Sequence, residues 1–127
     1  MYCNDKYSLK IDIKLNNGVY VFPNESSSGK SWLCKRLKRM HELGEPVNAY
    51  TFSDRFHSQE LEEILIPQKY KVILLDRFDI YKNECHNLIK KCSNDSIILI
   101  DCKDNFNVDV DFKISRISIN PECIEVY

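Results

Sequence analysis

Gly29, Lys30 and Ser31 are the residues whose order most directly suggests chemistry in this chain. They close the run Asn24-Glu25-Ser26-Ser27-Ser28-Gly29-Lys30-Ser31, which follows the apolar Val19-Tyr20-Val21-Phe22 and precedes Trp32-Leu33. Strand, Ser-rich turn, Gly-Lys-Ser and helix match the spacing G-x-x-x-x-G-K-[ST] of a loop that wraps phosphate, except that Asn24 stands at the first glycine. Such a loop turns backbone N–H groups toward phosphate oxygens at the positive end of the following helix. Lys30 would reach the β- and γ-phosphates, and the Ser31 hydroxyl would ligate Mg²⁺.

The departures from that pattern have physical consequences. Asn tolerates left-handed backbone geometry better than other non-glycine residues, so Asn24 can do the first glycine's work at modest cost. Ser27 adds a side chain where the loop often has none, and Glu25 brings a negative charge beside a site meant for phosphate. The expected affinity is therefore below that of a loop with all its glycines, or nil. The plainer alternative is a Ser-rich turn in which Ser28 or Ser31 caps a helix and Lys30 is an ordinary surface cation.

The elements that must hold this loop follow from periodicity. Residues 7–15 alternate, with Leu9, Ile11, Ile13 and Leu15 on one side, which predicts a half-buried strand. Asn16-Asn17-Gly18 is a tight-turn signal, so this strand and Val19–Phe22 are expected to form a hairpin. From Ser31 to Leu43 the apolar spacing turns helical through Leu33, Leu37 and Met40, with Gly44 as the C-terminal cap. Lys35, Arg36, Lys38 and Arg39 take the remaining faces. They read as a solvated helix surface or a contact for an acidic partner or nucleic-acid backbone, with no aromatic platform beside them.

Further along, Val47–Phe52 reads as a strand and 58–65 as a short helix ended by Pro67. Val72-Ile73-Leu74-Leu75 is a buried strand closed by Asp76, and 81–91 reads as a helix with Cys85, Leu88, Ile89 and Cys92 on one face. Residues 96–100 form another strand closed by Asp101, and 112–119 with 123–127 form a terminal hairpin. Alternating strands and helices predict an α/β fold: a mostly parallel central sheet with helices flanking both faces in three layers, and antiparallel hairpin strands at both termini. One domain over 1–127 is expected from the length. In such a sheet the ligand crevice lies at the carboxyl ends of the strands, where the loop, Asp76 and Asp101 would meet.

Composition narrows the partners. A net charge of −1 provides no global field toward nucleic acid or membrane. No apolar run approaches the roughly 18 residues of a membrane span, and the first residues lack the apolar stretch of a signal peptide, so the cytoplasm is the expected compartment. The six cysteines form no C-x-x-C and read as buried or incidental thiols. A zinc site from Cys85, His86 and Cys92 lacks ligand spacing.

Val19–Leu33 together with Val72–Asp76 resembles the P-loop NTPases, in particular a reduced core of the ABC, SMC or AAA type with a degenerate phosphate-binding motif. Those cores also insert a strand between the loop strand and the Asp strand, as Val47–Phe52 would be here. The resemblance implies ATP and Mg²⁺ as ligands. Asn24, Ser26, Ser27, Ser28, Gly29, Lys30, Ser31 and Trp32 would then lie at the nucleotide, although packing at the helix start is the plainer role for Trp32. Ser31 and Asp76 would hold the metal. Lys30 would assist the transferred phosphate, and Asp79 would orient water where the family's catalytic Glu is replaced by Arg77. It implies slow hydrolysis coupled to a protein partner or to self-association. Two alternatives stand beside it. One is a scaffold with a decayed nucleotide site, used as a protein-binding module or inhibitor of the kind phages and mobile elements carry. The other is a nucleotide kinase, because Leu75-Asp76-Arg77-Phe78 resembles the Asp-Arg-aromatic motif of thymidylate-type kinases. Asp54-Arg55-Phe56 repeats that tripeptide.

Overall fold

A computed structural model describes residues 1–6, 10–22, 30–50, 65–66, 68–75, 89–100, 113–114, 117–119 and 123–127. The strands are β1 (Tyr2–Asn4), β2 (Lys10–Ile13), β3 (Gly18–Val21), β4 (Val47–Tyr50), β5 (Val72–Leu75), β6 (Ile97–Ile100), β7 (Lys113–Ile114), β8 (Ile117–Ile119) and β9 (Cys123–Val126). Helix α1 spans Lys30–Glu42, and residues 89–92 are helical.

The strands form two sheets. Five run parallel in the order β4-β5-β6-β3-β7, and four form a mixed sheet in the order β1-β2-β9-β8. In the parallel sheet Val72-Ile73-Leu74-Leu75 and Ile97-Ile98-Leu99-Ile100 are buried throughout. That is why both read as continuous apolar runs: a strand covered on both faces has no solvent side to alternate toward.

One face of the parallel sheet presents Tyr20, Phe22, Val47, Ala49, Val72, Leu74, Ile97 and Leu99. These pack into a single core with Leu33, Cys34, Leu37 and Met40 of α1 and with Ile11, Ile13, Ile124 and Val126 of the mixed sheet. The opposite face presents Val19, Ile73, Leu75, Ile98 and Ile100 to Leu65, Tyr70, Ile89 and Cys92.

This corrects the expected architecture of one central sheet sandwiched by helices. The layer on the first face is shared between α1 and a second sheet, and α1 is the one helix described over its full length. The expected hairpin of residues 7–15 with 19–22 is also absent. The edges of β3 are taken by β6 and β7, both parallel, so none remains for β2. Strand β2 instead runs parallel to β9 and antiparallel to β1.

The Asn-Gly signal failed for a definable reason. A two-residue type I′ turn needs positive φ at both central positions, yet Gln68 is the one non-glycine with positive φ among the described residues. Asn16–Gly18 is a crossover between sheets. The Asn16 carbonyl accepts from the Tyr20 hydroxyl at 2.8 Å, the Asn17 amide donates to the Asn94 carbonyl at 3.2 Å, and Gly18 N–H donates to the Ser96 carbonyl at 3.1 Å. At the other end of the chain, β8 and β9 pair antiparallel.

Helix α1 ends as its sequence predicts. Gly44 has φ +91°, Glu45 N–H donates to the Met40 carbonyl and Gly44 N–H to the His41 carbonyl, each at 3.0 Å. These two bonds are the Schellman pattern, which satisfies carbonyls left over at the helix end. A Cβ at Gly44 would meet nothing within 4 Å, so the cost of a side chain there is conformational alone. Gly44→Ala should lower stability by about 1 kcal/mol, and Gly44→Asn by less. Leu37→Ala, which empties a fully buried site, should cost about 2–5 kcal/mol. Urea denaturation of the three variants would reveal any departure from that order.

Candidate functional site

The register of the parallel sheet aligns its carboxyl ends. Tyr50, Leu75, Ile100, Val21 and Ile114 form one row across β4, β5, β6, β3 and β7. Phe22 N–H extends the ladder by donating to the Ile100 carbonyl at 3.0 Å. The chain thus leaves the interior of the sheet at this edge, and α1 begins at Lys30 after the intervening residues 23–29. A helix joining two parallel strands starts at their carboxyl edge and returns toward the amino edge, as α1 does between β3 and β4.

Asp76 follows Leu75 in the sequence and Asp101 follows Ile100, so the strands leading to both acids end in the same row as β3. The strand between β3 and β5 is β6, whereas β4 lies at the outer edge of the sheet. That corrects the expectation for Val47–Phe52. Sequence order cannot say which strand is inserted in space, because the crossover from β4 to β5 is long enough to reach either neighbour.

Of the residues expected at the nucleotide and metal, Lys30, Ser31 and Trp32 are described. Asn24, Ser26, Ser27, Ser28, Gly29, Asp76 and Asp79 lie outside the described residues. Lys30 and Ser31 are the first two residues of α1, Lys30 half-buried and Ser31 exposed. The first turn of the helix carries no acidic residue. Backbone amides unsatisfied at a helix start carry partial positive charge, which ordinarily favours Asp or Glu there and disfavours a cation. Lys30 adds positive charge to an already positive end. That arrangement suits an anion.

Trp32 departs from both sequence readings. It is 65% exposed, so it does not pack at the helix start. Two residues apart on an α-helix point roughly 160° apart about the axis, so Trp32 also faces away from the side taken by Lys30.

Several polar groups among the described residues are internally engaged. On β4, the Asn48 side-chain amide donates to the Tyr50 hydroxyl at 3.1 Å, which lies 3.4 Å from the Tyr70 hydroxyl. The Ser96 hydroxyl donates to the Tyr70 carbonyl at 2.6 Å. These bonds satisfy polar atoms beneath the second face of the sheet and carry no reacting group. The Cys92 thiol donates to the Leu65 carbonyl at 3.1 Å, and burial pushes its pKa up, so it is held as a thiol and not as a metal-ready thiolate. Among the described residues no three His, Cys, Asp or Glu side chains are grouped to hold a metal, and no helix is long and apolar enough to cross a membrane. An open cleft of about 390 Å³ lies at the amino edge, between β1 and the turn at Glu45–Pro46.

Comparison with protein-family models and with curated proteins finds no match to this chain.

Lys30 contributes to no core cluster, so its removal tests whether it is structural. Lys30→Ala should change unfolding free energy by less than about 1 kcal/mol in the absence of ligand. A loss above about 2 kcal/mol in thermal or urea denaturation would mark Lys30 as a structural residue and remove it from the site.

Proposed function

We propose that the segment Asn24–Ser31 binds the phosphates of ATP together with Mg²⁺, in the cytoplasm, and that any hydrolysis is slow and depends on a protein partner or on self-association. The observation that carries this reading is Lys30 at the first position of a helix with no acid in its first turn, entered from a strand in the interior of a parallel sheet. A lysine at the positive end of a helix adds to a field that favours a bound polyanion. In this reading Lys30 and the loop amides hold the phosphates, and the Ser31 hydroxyl with Asp76 holds the metal. The metal would neutralise charge on the phosphate oxygens, and Asp79 would orient water.

The likeness to P-loop NTPases that supports the proposal is confined to the loop motif and the apolar strand ending at Asp76. Trp32 is left out of the nucleotide contacts because of its direction on α1.

Thermal denaturation with and without Mg-ATP tests the proposal. Nucleotide at a hundred times its Kd should stabilise the protein by about 2.7 kcal/mol, a rise of roughly 10 °C. Chelating the metal should remove most of that rise, and Lys30→Ala should remove all of it. An unshifted midpoint at millimolar nucleotide would sink the proposal, as would an equal shift in the Lys30→Ala protein.

A further inference from the structure

The outer surface of α1 carries a cationic face, separate from the proposed nucleotide loop. The helix holds five Lys and Arg side chains and one carboxylate, in a chain whose overall charge is −1. Its buried stripe is Leu33, Cys34, Leu37 and Met40. On the opposite side, Trp32, Lys35, Arg36 and Arg39 recur at i, i+3, i+4 and i+7. That spacing places all four in one sector of the helix about two turns long. Trp32, Lys35 and Arg39 are exposed and Arg36 is half-exposed. The carboxylate, Glu42, sits at the end of this stripe and pairs with Arg39 at 3.0 Å, both side chains more than 60% exposed.

Against the expectation that no aromatic lies beside these cations, Trp32 stands on their face of α1 and is 65% exposed. The combination is the one that recognises a nucleic-acid strand: cations follow the phosphodiester backbone and an aromatic face takes a base. A convex helix surface offers its indole to bases that are already unstacked, which selects single strands over duplex. We infer that the Trp32–Lys35–Arg36–Arg39 face of α1 binds single-stranded nucleic acid without sequence preference. Lys30 lies on another side of the helix, so this surface and the proposed nucleotide loop can be altered independently.

The test is fluorescence anisotropy of a labelled single-stranded oligothymidylate titrated with the full chain at low salt, with indole fluorescence of this sole tryptophan recorded alongside. Three cations on the backbone predict that log K falls with log salt at a slope of about −2. Trp32→Ala should weaken binding roughly tenfold. The double variant Lys35→Glu, Arg39→Glu should abolish binding while leaving the Mg-ATP thermal shift unchanged, and Lys30→Ala should leave oligonucleotide binding unchanged. Quenching of the indole on binding would support base stacking. The inference is overturned if no anisotropy change occurs at low salt. It is also overturned if duplex of the same length binds more tightly, or if polyglutamate competes equally and Trp32→Ala has no effect. That last result would make the face a contact for acidic proteins.

Discussion

The double pairing of β3 is the constraint on which the rest of the structure depends. Val19 and Tyr20 are buried on opposite faces of the sheet, and parallel partners occupy both edges of the strand. A strand in that position has one way out, through its carboxyl end, and Phe22 carries the chain there with the ladder still intact. Everything attached to the exit inherits its position, including the start of α1 and its Lys30. The same saturation excludes β2, whose alternating face must be buried elsewhere. Ile11 and Ile13 find that cover in a second sheet closed by β9, from the other end of the chain.

That solution ties the two ends of the sequence to one core. Ile124 and Val126 lie against the same interior as Leu33 and Leu37, so the mixed sheet and α1 together form the layer that a pair of helices would otherwise supply. Burial of one apolar face is all the parallel sheet requires of its cover, and a sheet face or a helical stripe meets the requirement equally well. The exposed ion pairs Lys6–Glu45 and Lys14–Glu125 contribute little beside this apolar burial.

What was legible in the sequence, and what was not, divides along the same physical line. Local signals were legible: the apolar runs of β5 and β6, the helical spacing of α1 and the glycine that ends it. Each is determined by which faces of a single element are buried. Pairing was not legible. Residues 10–13 alternate in the same way whether the neighbour is β3 or β9, and Asn16-Asn17-Gly18 serves a crossover as readily as a turn. The identity of the strand between β3 and β5 is likewise a property of the crossover path and leaves no mark on Val47–Tyr50. At the candidate site, the direction of Trp32 could be read only once the buried stripe of α1 was known, because Trp32 fits an apolar helical pattern as well as an exposed one.

Charge placement on α1 follows helix stability at its end, where Arg39 and His41 suit the negative pole, but not at its start. A helix of this length, packed through Leu33, Leu37 and Met40, would gain from acids in its first turn and from i, i+4 pairs of opposite sign along its exposed side. Instead Lys30 stands at the start, and Lys35, Arg36, Lys38 and Arg39 are crowded over barely more than one turn. Like charges at such spacing repel by a few tenths of a kcal/mol per pair, roughly what a favourable pair would have contributed. Under the proposed function and the inferred strand-binding face, a bound anion would offset this repulsion at two places on one helix, its first turn and its outer face.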